Sequence, residues 1–241
     1  MRYNWNWGIL FEDPYFGWLL SGLLWTLLVS AIAWIIAFSL GSVIGVARTV
    51  ESKPVRAVAT AYVEFFRNIP LLVQMFLWFY VIPELLPDDL GRWVKRDMPW
   101  PEATSAILCL GTYTASRVAE QVRAGIEAIP RGQKAAGLAM GLTTAQVYRY
   151  LLVPVGYRII VPPLTSEFLT IFKNSSLALT IGVGELLMQT RHIENYTFQS
   201  FEAFTAATII YVVVTLVVVV LMDRVEKKTA IPGFGVQRKK R

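Results

Sequence analysis

Residues 18–47 run for about thirty positions without a charged side chain. That exceeds the roughly twenty residues needed to cross a bilayer core and is far longer than a signal-peptide core. The preceding residues 1–17 are aromatic and acidic, with Arg2 as their one basic side chain, so they do not read as a cleavable signal. Further apolar runs lie at 62–82, 103–126, 155–187 and 204–222; Pro162-Pro163 and Lys173-Asn174-Ser175-Ser176 interrupt the fourth. A chain of 241 residues with 55% hydrophobic side chains and a mean hydropathy of +0.48 is too apolar for one soluble domain. As a bundle of spans it is ordinary. The expectation is an all-α polytopic membrane protein with five transmembrane helices. An extracytoplasmic segment 1–17 precedes a membrane domain 18–222, and a basic cytoplasmic tail 223–241 follows it.

Charge is distributed unevenly between the connections. Arg48, Lys53 and Arg56 follow the first run, and Arg123, Arg131, Lys134, Arg149 and Arg158 surround the long connection at 131–154. Arg224, Lys227, Lys228 and Arg238-Lys239-Lys240-Arg241 follow the last run. Glu12-Asp13, Glu84, Asp88-Asp89, Asp97, Glu102, Glu194 and Glu202 fall in the alternate segments. The positive-inside rule puts the N-terminus outside and the C-terminus in the cytoplasm, which an odd number of spans permits. The net charge of +6 is then a topology signal, with lipid headgroups as the contact of the basic tail and nucleic acid excluded as a partner. Trp5, Trp7, Trp18, Trp93 and Trp100 stand near run ends, as interfacial indoles do. Gly41 and Gly45 form a GxxxG pair suited to a dimer face. No internal period is evident, which argues against an inverted-repeat transporter in one chain.

The connection 131–154, RGQKAAGLAMGLTTAQVYRYLLVP, is too polar for lipid and too well capped for a slack loop. Pro130 suits a first helical turn, 135–140 favours a short helix, and Gly141 can end it in a left-handed conformation. Thr143 and Gln146 form a capping box for a second short helix, and Pro154 stands at the mouth of the next run. A rigid surface elbow of this kind is suited to docking a soluble partner.

Polar side chains at membrane depth are expensive and tend to face cavities or other protein. Three clusters qualify. Glu64 and Arg67 open the second run, where Pro70 frees backbone carbonyls; the two charges alternatively pair with each other near the interface. Arg117, Glu120 and Arg123 share one helical stripe, with Arg117 well inside the run and Arg123 able to snorkel. Glu167 stands with Lys173, Asn174, Ser175 and Ser176, a stretch that reads as a discontinuity lining a cavity. Enzyme signatures are missing. His192 is the only histidine and is placed in a polar outer loop, no GxxxxGK[ST] loop occurs, and the lone Cys109 suits packing.

These residues together resemble the permease subunits of bacterial ABC importers, in the polar amino acid uptake branch. The elbow resembles that family's EAA loop, Glu-Ala-Ala, three residues, Gly, nine more, then Ile-x-Leu-Pro. Here the glycine is Gly141 and the end is Leu151-Leu152-Val153-Pro154, while the Glu-Ala-Ala positions hold Ala135, Ala136 and Gly137. The family's carboxylate is therefore absent. EFFRNIPLLVQ at 64–74, AEQVRAGI at 119–126 and FKNSSL at 172–177 resemble further motifs of the branch, and GLAMG at 137–141 most resembles glutamate/aspartate permeases.

The resemblance implies a type I ABC importer permease fold in the bacterial cytoplasmic membrane. It also implies a second permease subunit, two cytoplasmic ABC ATPase subunits and an extracytoplasmic amino-acid-binding protein as partners. ATP and Mg would be bound by the partner ATPase, with no cofactor in this chain. Ala135 in place of Glu tilts the expectation to a heterodimer of permeases. A stand-alone secondary carrier or channel, or a scaffold that binds an ATPase without moving cargo, are the alternative readings.

Overall fold

The computed structural model describes residues 3–229; Pro232-Gly233 and the closing basic residues of the expected tail lie outside them. Among the described residues every regular element is helical. The order is α1 (Tyr15–Ala47), α2 (Lys53–Asn68), α3 (Leu71–Leu85), α4 (Asp88–Arg92), α5 (Pro101–Glu127), α6 (Arg131–Ala139), α7 (Thr144–Val147), α8 (Val153–Asn174), α9 (Leu186–Thr197) and α10 (Ser200–Thr229). Short 3₁₀ segments occur at Trp7–Phe11 and Ser175–Ile181, and α7 passes through a π turn, Tyr148–Leu152, into α8. The expected second short helix is thus the first turn of a longer helical run.

Among the described residues, α1, of 33 residues, and α10, of 30, are long and apolar enough to cross a membrane. The pair α2 and α3 adds a third span if the two are taken together across their 102° bend. Helices α5 and α8, which carry most of the intramembrane charge, do not meet that measure of apolarity, so it gives two or three spans where five are expected.

Two expected runs are redrawn. The run 62–82 is not one helix: α2 ends at Asn68, and Pro70 takes an extended conformation (φ −55°, ψ 136°) ahead of α3. Proline lacks an N–H and disfavours helical geometry in the residue before it. The freed carbonyl of Ile69 accepts from the Gln74 side chain at 2.8 Å, and that of Pro70 from the Gln74 N–H at 3.1 Å. Pro162-Pro163, in contrast, do not interrupt the fourth run. Helix α8 continues through both, because prolines remove only their own donors and the turns on either side keep theirs. The break comes at Asn174, where α-helix gives way to 3₁₀, and Gly182 (φ +94°) closes that segment.

The chain divides into two compact units. The first comprises Met1–Ile36, Ile69–Thr112 and Leu169–Val218. Its core gathers Leu10, Leu19, Leu186, Ile193, Ala203 and Ala207. At Gly22 a Cβ would lie 2.9 Å from the Leu186 backbone, so only glycine lets α1 and α9 meet there. Glu185 is fully buried. Its carboxylate caps α9 by accepting from the N–H groups of Leu187 (3.0 Å) and Met188 (2.8 Å) and also accepts the Tyr211 hydroxyl at 2.8 Å. His192 lies within α9 rather than in a loop, its ring edge-on to Trp18 at 6.0 Å. Cys109 is buried, as packing requires.

The second unit comprises Ala37–Asn68, Tyr113–Phe168 and Val219–Arg241. Here the GxxxG pair meets α5 of the same chain instead of presenting a dimer face. A Cβ on Gly41 would stand 2.7 Å from the Ala115 carbonyl, and one on Gly45 2.6 Å from Val122. The small residues are used up in bringing two of the chain's own helices together.

Candidate coupling elbow and polar clusters

The elbow is built as its residues direct. Helix α6 starts one residue after Pro130, which occupies the cap position rather than the first turn, and ends at Ala139. Gly141 then turns the chain at φ +85°, with N–H groups of Met140, Gly141 and Leu142 returning to the last carbonyls of the helix. Thr143 and Gln146 complete a reciprocal capping box: the Thr143 N–H donates to the Gln146 side chain at 2.8 Å, and the Gln146 N–H to Thr143 Oγ1 at 3.3 Å. Gly137 is buried because Val147 of α7 sits over it, 3.1 Å from where a Cβ would be.

Two bonds hold this elbow on its unit. The Tyr148 hydroxyl donates to the Thr49 carbonyl at 2.7 Å, and Lys134 pairs with Glu51 at 2.9 Å. Its uncovered residues include an apolar group, Ala135, Ala136 and Gly141 with Leu138 at 42% and Met140 at 77% of full exposure, flanked by the exposed polar side chains of Arg131, Gln133, Gln146 and Arg149. Pro154 is exposed in the first turn of α8.

The polar clusters regroup. Arg117 and Glu167 form a bidentate ion pair between α5 and α8, Nε to Oε2 at 2.6 Å and Nη2 to Oε1 at 3.1 Å. The carboxylate is buried and the guanidinium is 40% exposed. Glu167 therefore belongs with Arg117 rather than with Lys173, and the stripe Arg117–Glu120–Arg123 divides after its first member. Glu120 is bound by Arg48 and Arg123 and stands 3.6 Å from Arg67. Glu64 is exposed, and in place of the alternative Glu64–Arg67 pairing Arg67 turns to Glu120. Lys173 is exposed and Asn174 ends α8. The hydroxyls of Ser175 and Ser176 donate back to the carbonyls of Phe172 and Lys173 at 2.8 and 2.7 Å, satisfying the last turn of α8 where its α-type bonds stop.

Three participants escape a local reading of the sequence. Arg48 follows an apolar run and reads only as a topology charge; its partner Glu120 is 72 residues away. Tyr148 has no motif of its own. Glu185 is not among the usual cap residues, and only the start of a helix after Gly184 hints at its role.

Residues 37–231 match the family described as the binding-protein-dependent transport system inner membrane component. The chain belongs to that family. It is 47% identical to the glutamate/aspartate import permease protein GltJ of Escherichia coli K12, over 97% of this chain and 98% of that one. It is also 31% identical to the glutamate/aspartate import permease protein GltK of Escherichia coli O6:H1, over 95% and 100%. Among solved structures, that of an amino acid ABC transporter with histidines matches with a TM-score of 0.79 and 30% identity, covering 95% of this chain and 100% of that one. The permease fold expected from sequence is thus shown. Like other members of this inner-membrane family, the chain is a multi-pass transport component and not an enzyme.

Proposed function

We propose that this chain is one permease subunit of an ATP-driven ABC importer for glutamate and aspartate. In this reading it pairs with a second, different permease, as the existence of both GltJ and GltK among its relatives suggests. Two ATPase subunits bind ATP and Mg on the cytoplasmic side, and an extracytoplasmic binding protein delivers the amino acid. The N-terminus faces outward and the C-terminus faces the cytoplasm, following the charge bias of the connections.

The observation that carries this reading is the elbow. It is capped at both turns, tied down at Thr49 and Glu51, and leaves Leu138 and Met140 uncovered. A soluble ATPase that covers this apolar patch gains the burial of its side chains, and the patch moves as a unit when the ATPase closes. The missing carboxylate at Ala135 removes an ion pair from that position, so the contact there is one of shape. Binding ATP then shifts the membrane helices between two states by the difference in the elbow's contacts in each.

The residues proposed for the path or its gate are Glu64, Arg67, Arg117, Glu120, Glu167 and Lys173, with Asn174, Ser175 and Ser176 at the break; of these, Arg117 and Lys173 are the ones proposed to meet an acidic cargo. Arg117 retains an exposed edge beside Glu167, and Lys173 is uncovered. These cations offset the cost of moving a carboxylate away from water.

The test is uptake of labelled glutamate into proteoliposomes holding the complex as purified, with its binding protein and with ATP inside or outside. ATP-dependent uptake is expected, and replacing Arg117 or Lys173 by Gln lowers it in an assembled complex. Uptake without any ATP overturns the reading in favour of a stand-alone carrier or channel.

A further inference from the structure

We propose that Glu120 and Arg48 are positioning residues that link the elbow to the break after α2, so that movement of the docking surface reaches the membrane helices through one ionic hub. The proposal rests on the coupling role of the elbow given above.

The contacts form a continuous chain within one compact unit. At the elbow, Tyr148 stands at the start of the π turn that joins α7 to α8, and its hydroxyl grips the Thr49 carbonyl at 2.7 Å. The next residue back is Arg48, just past the end of α1. Its guanidinium is only 11% exposed and bonds to Glu120 on α5. Glu120 also holds Arg123 on its own helix and lies 3.6 Å from Arg67. Arg67 is the last residue but one of α2, directly before the bend into α3. One carboxylate thus faces three guanidiniums, one just past the end of α1, one on α2 and one on α5, and Glu127 relieves only Arg123.

Arg48 and Arg67 both reach Oε2 of Glu120, so movement of one changes what holds the other. While Glu120 holds Arg48 and Arg67 together, the end of α1 and the end of α2 are tied to α5. When the elbow pulls Thr49, Arg48 moves with it. Glu120 is then left to Arg67 and Arg123, with one cation fewer competing for its oxygens. The Arg48–Glu120 pair is the more shielded link, at 11% and 26% exposure, and Arg67, at 47%, is the more screened one. The backbone beyond Arg67 leaves the helix at 69–70, where Pro70 donates no hydrogen bond. A shift at Arg67 is therefore taken up by the α2–α3 bend.

The experiment measures glutamate transported per ATP hydrolysed by the purified full complex in proteoliposomes. It compares wild type with Glu120→Gln, Arg48→Gln, the two together, Glu120→Asp and Tyr148→Phe. Each of the single changes to Gln is expected to lower the ratio by at least about fivefold, the lower end of typical coupling between sites. The double variant should lose no more than the worse single one, because both act through one link. Glu120→Asp restores most of the ratio, and Tyr148→Phe lowers it without altering any charge.

Wild-type ratios in Tyr148→Phe and in assembled Glu120→Gln would overturn the proposal, as would additive losses in the double variant. Should Glu120→Gln fail to assemble, Tyr148→Phe alone decides. A wild-type complex that takes up no glutamate with ATP contradicts the importer reading itself, and is thereby separated from a failure of the hub.

Discussion

At the scale of single residues, Gly141 carries the sharpest consequence. Its φ of +85° lies where side chains strain the backbone, yet a Cβ there would meet nothing within 4 Å. The cost of Gly141→Asp to the chain alone is then only about 1–2 kcal/mol, and Asp tolerates that conformation better than most residues. The complex is expected to reach the membrane. The new carboxylate, however, lies beside the uncovered Leu138 and Met140, and burying it without a partner costs several kcal/mol. ATP-driven uptake should fall by about tenfold or more, each factor of ten corresponding to about 1.4 kcal/mol, with membrane levels close to wild type by immunoblot. Normal uptake would remove the elbow from the coupling path. Gly141 was legible in the sequence because a left-handed turn is a local demand, as was the capping box of Thr143 and Gln146. Arg48–Glu120 and Arg117–Glu167 were not legible as pairs, because side chains 72 and 50 residues apart meet only when helices pack.

At the scale of elements, close helix contacts are set by small residues. Gly41 and Gly45 let α1 lie on α5, and Gly125 lets α5 lie on α8, where a Cβ would come within 2.8 Å of the Gly156 carbonyl. Backbone stands opposite in each case, so it has no rotamer to yield. Gly41→Leu is expected to destabilise the chain by about 1–3 kcal/mol or more, as overpacking does, read as a lower thermal midpoint in detergent with no change in oligomeric state. A changed oligomeric state at unchanged midpoint would return the pair to a dimer face. The motif itself was plain in the sequence; which helix it would meet was not, since lipid-facing and chain-facing GxxxG pairs have the same composition. Proline was similarly ambiguous. Pro70 breaks its helix, with Gln74 donating to the Ile69 carbonyl at the break, while α8 continues through Pro162 and Pro163.

At the scale of the whole molecule, the described residues are all helical and carry a capped elbow, and under the function proposed above energy enters through that elbow from another subunit. Composition and the spacing of apolar runs were enough to give the fold class. The expected spans differ in apolarity, because α5 and α8 carry charged side chains and fall short of α1 and α10. The most direct test of the coupling account is a gentle detergent pull-down of the chain from its native membrane, with mass spectrometry of what accompanies it. An ABC ATPase in stoichiometric amount, together with a second and different permease, is the result expected. Repeated recovery of the intact chain alone would contradict the account and leave the exposed face of α6 without a partner to cover it.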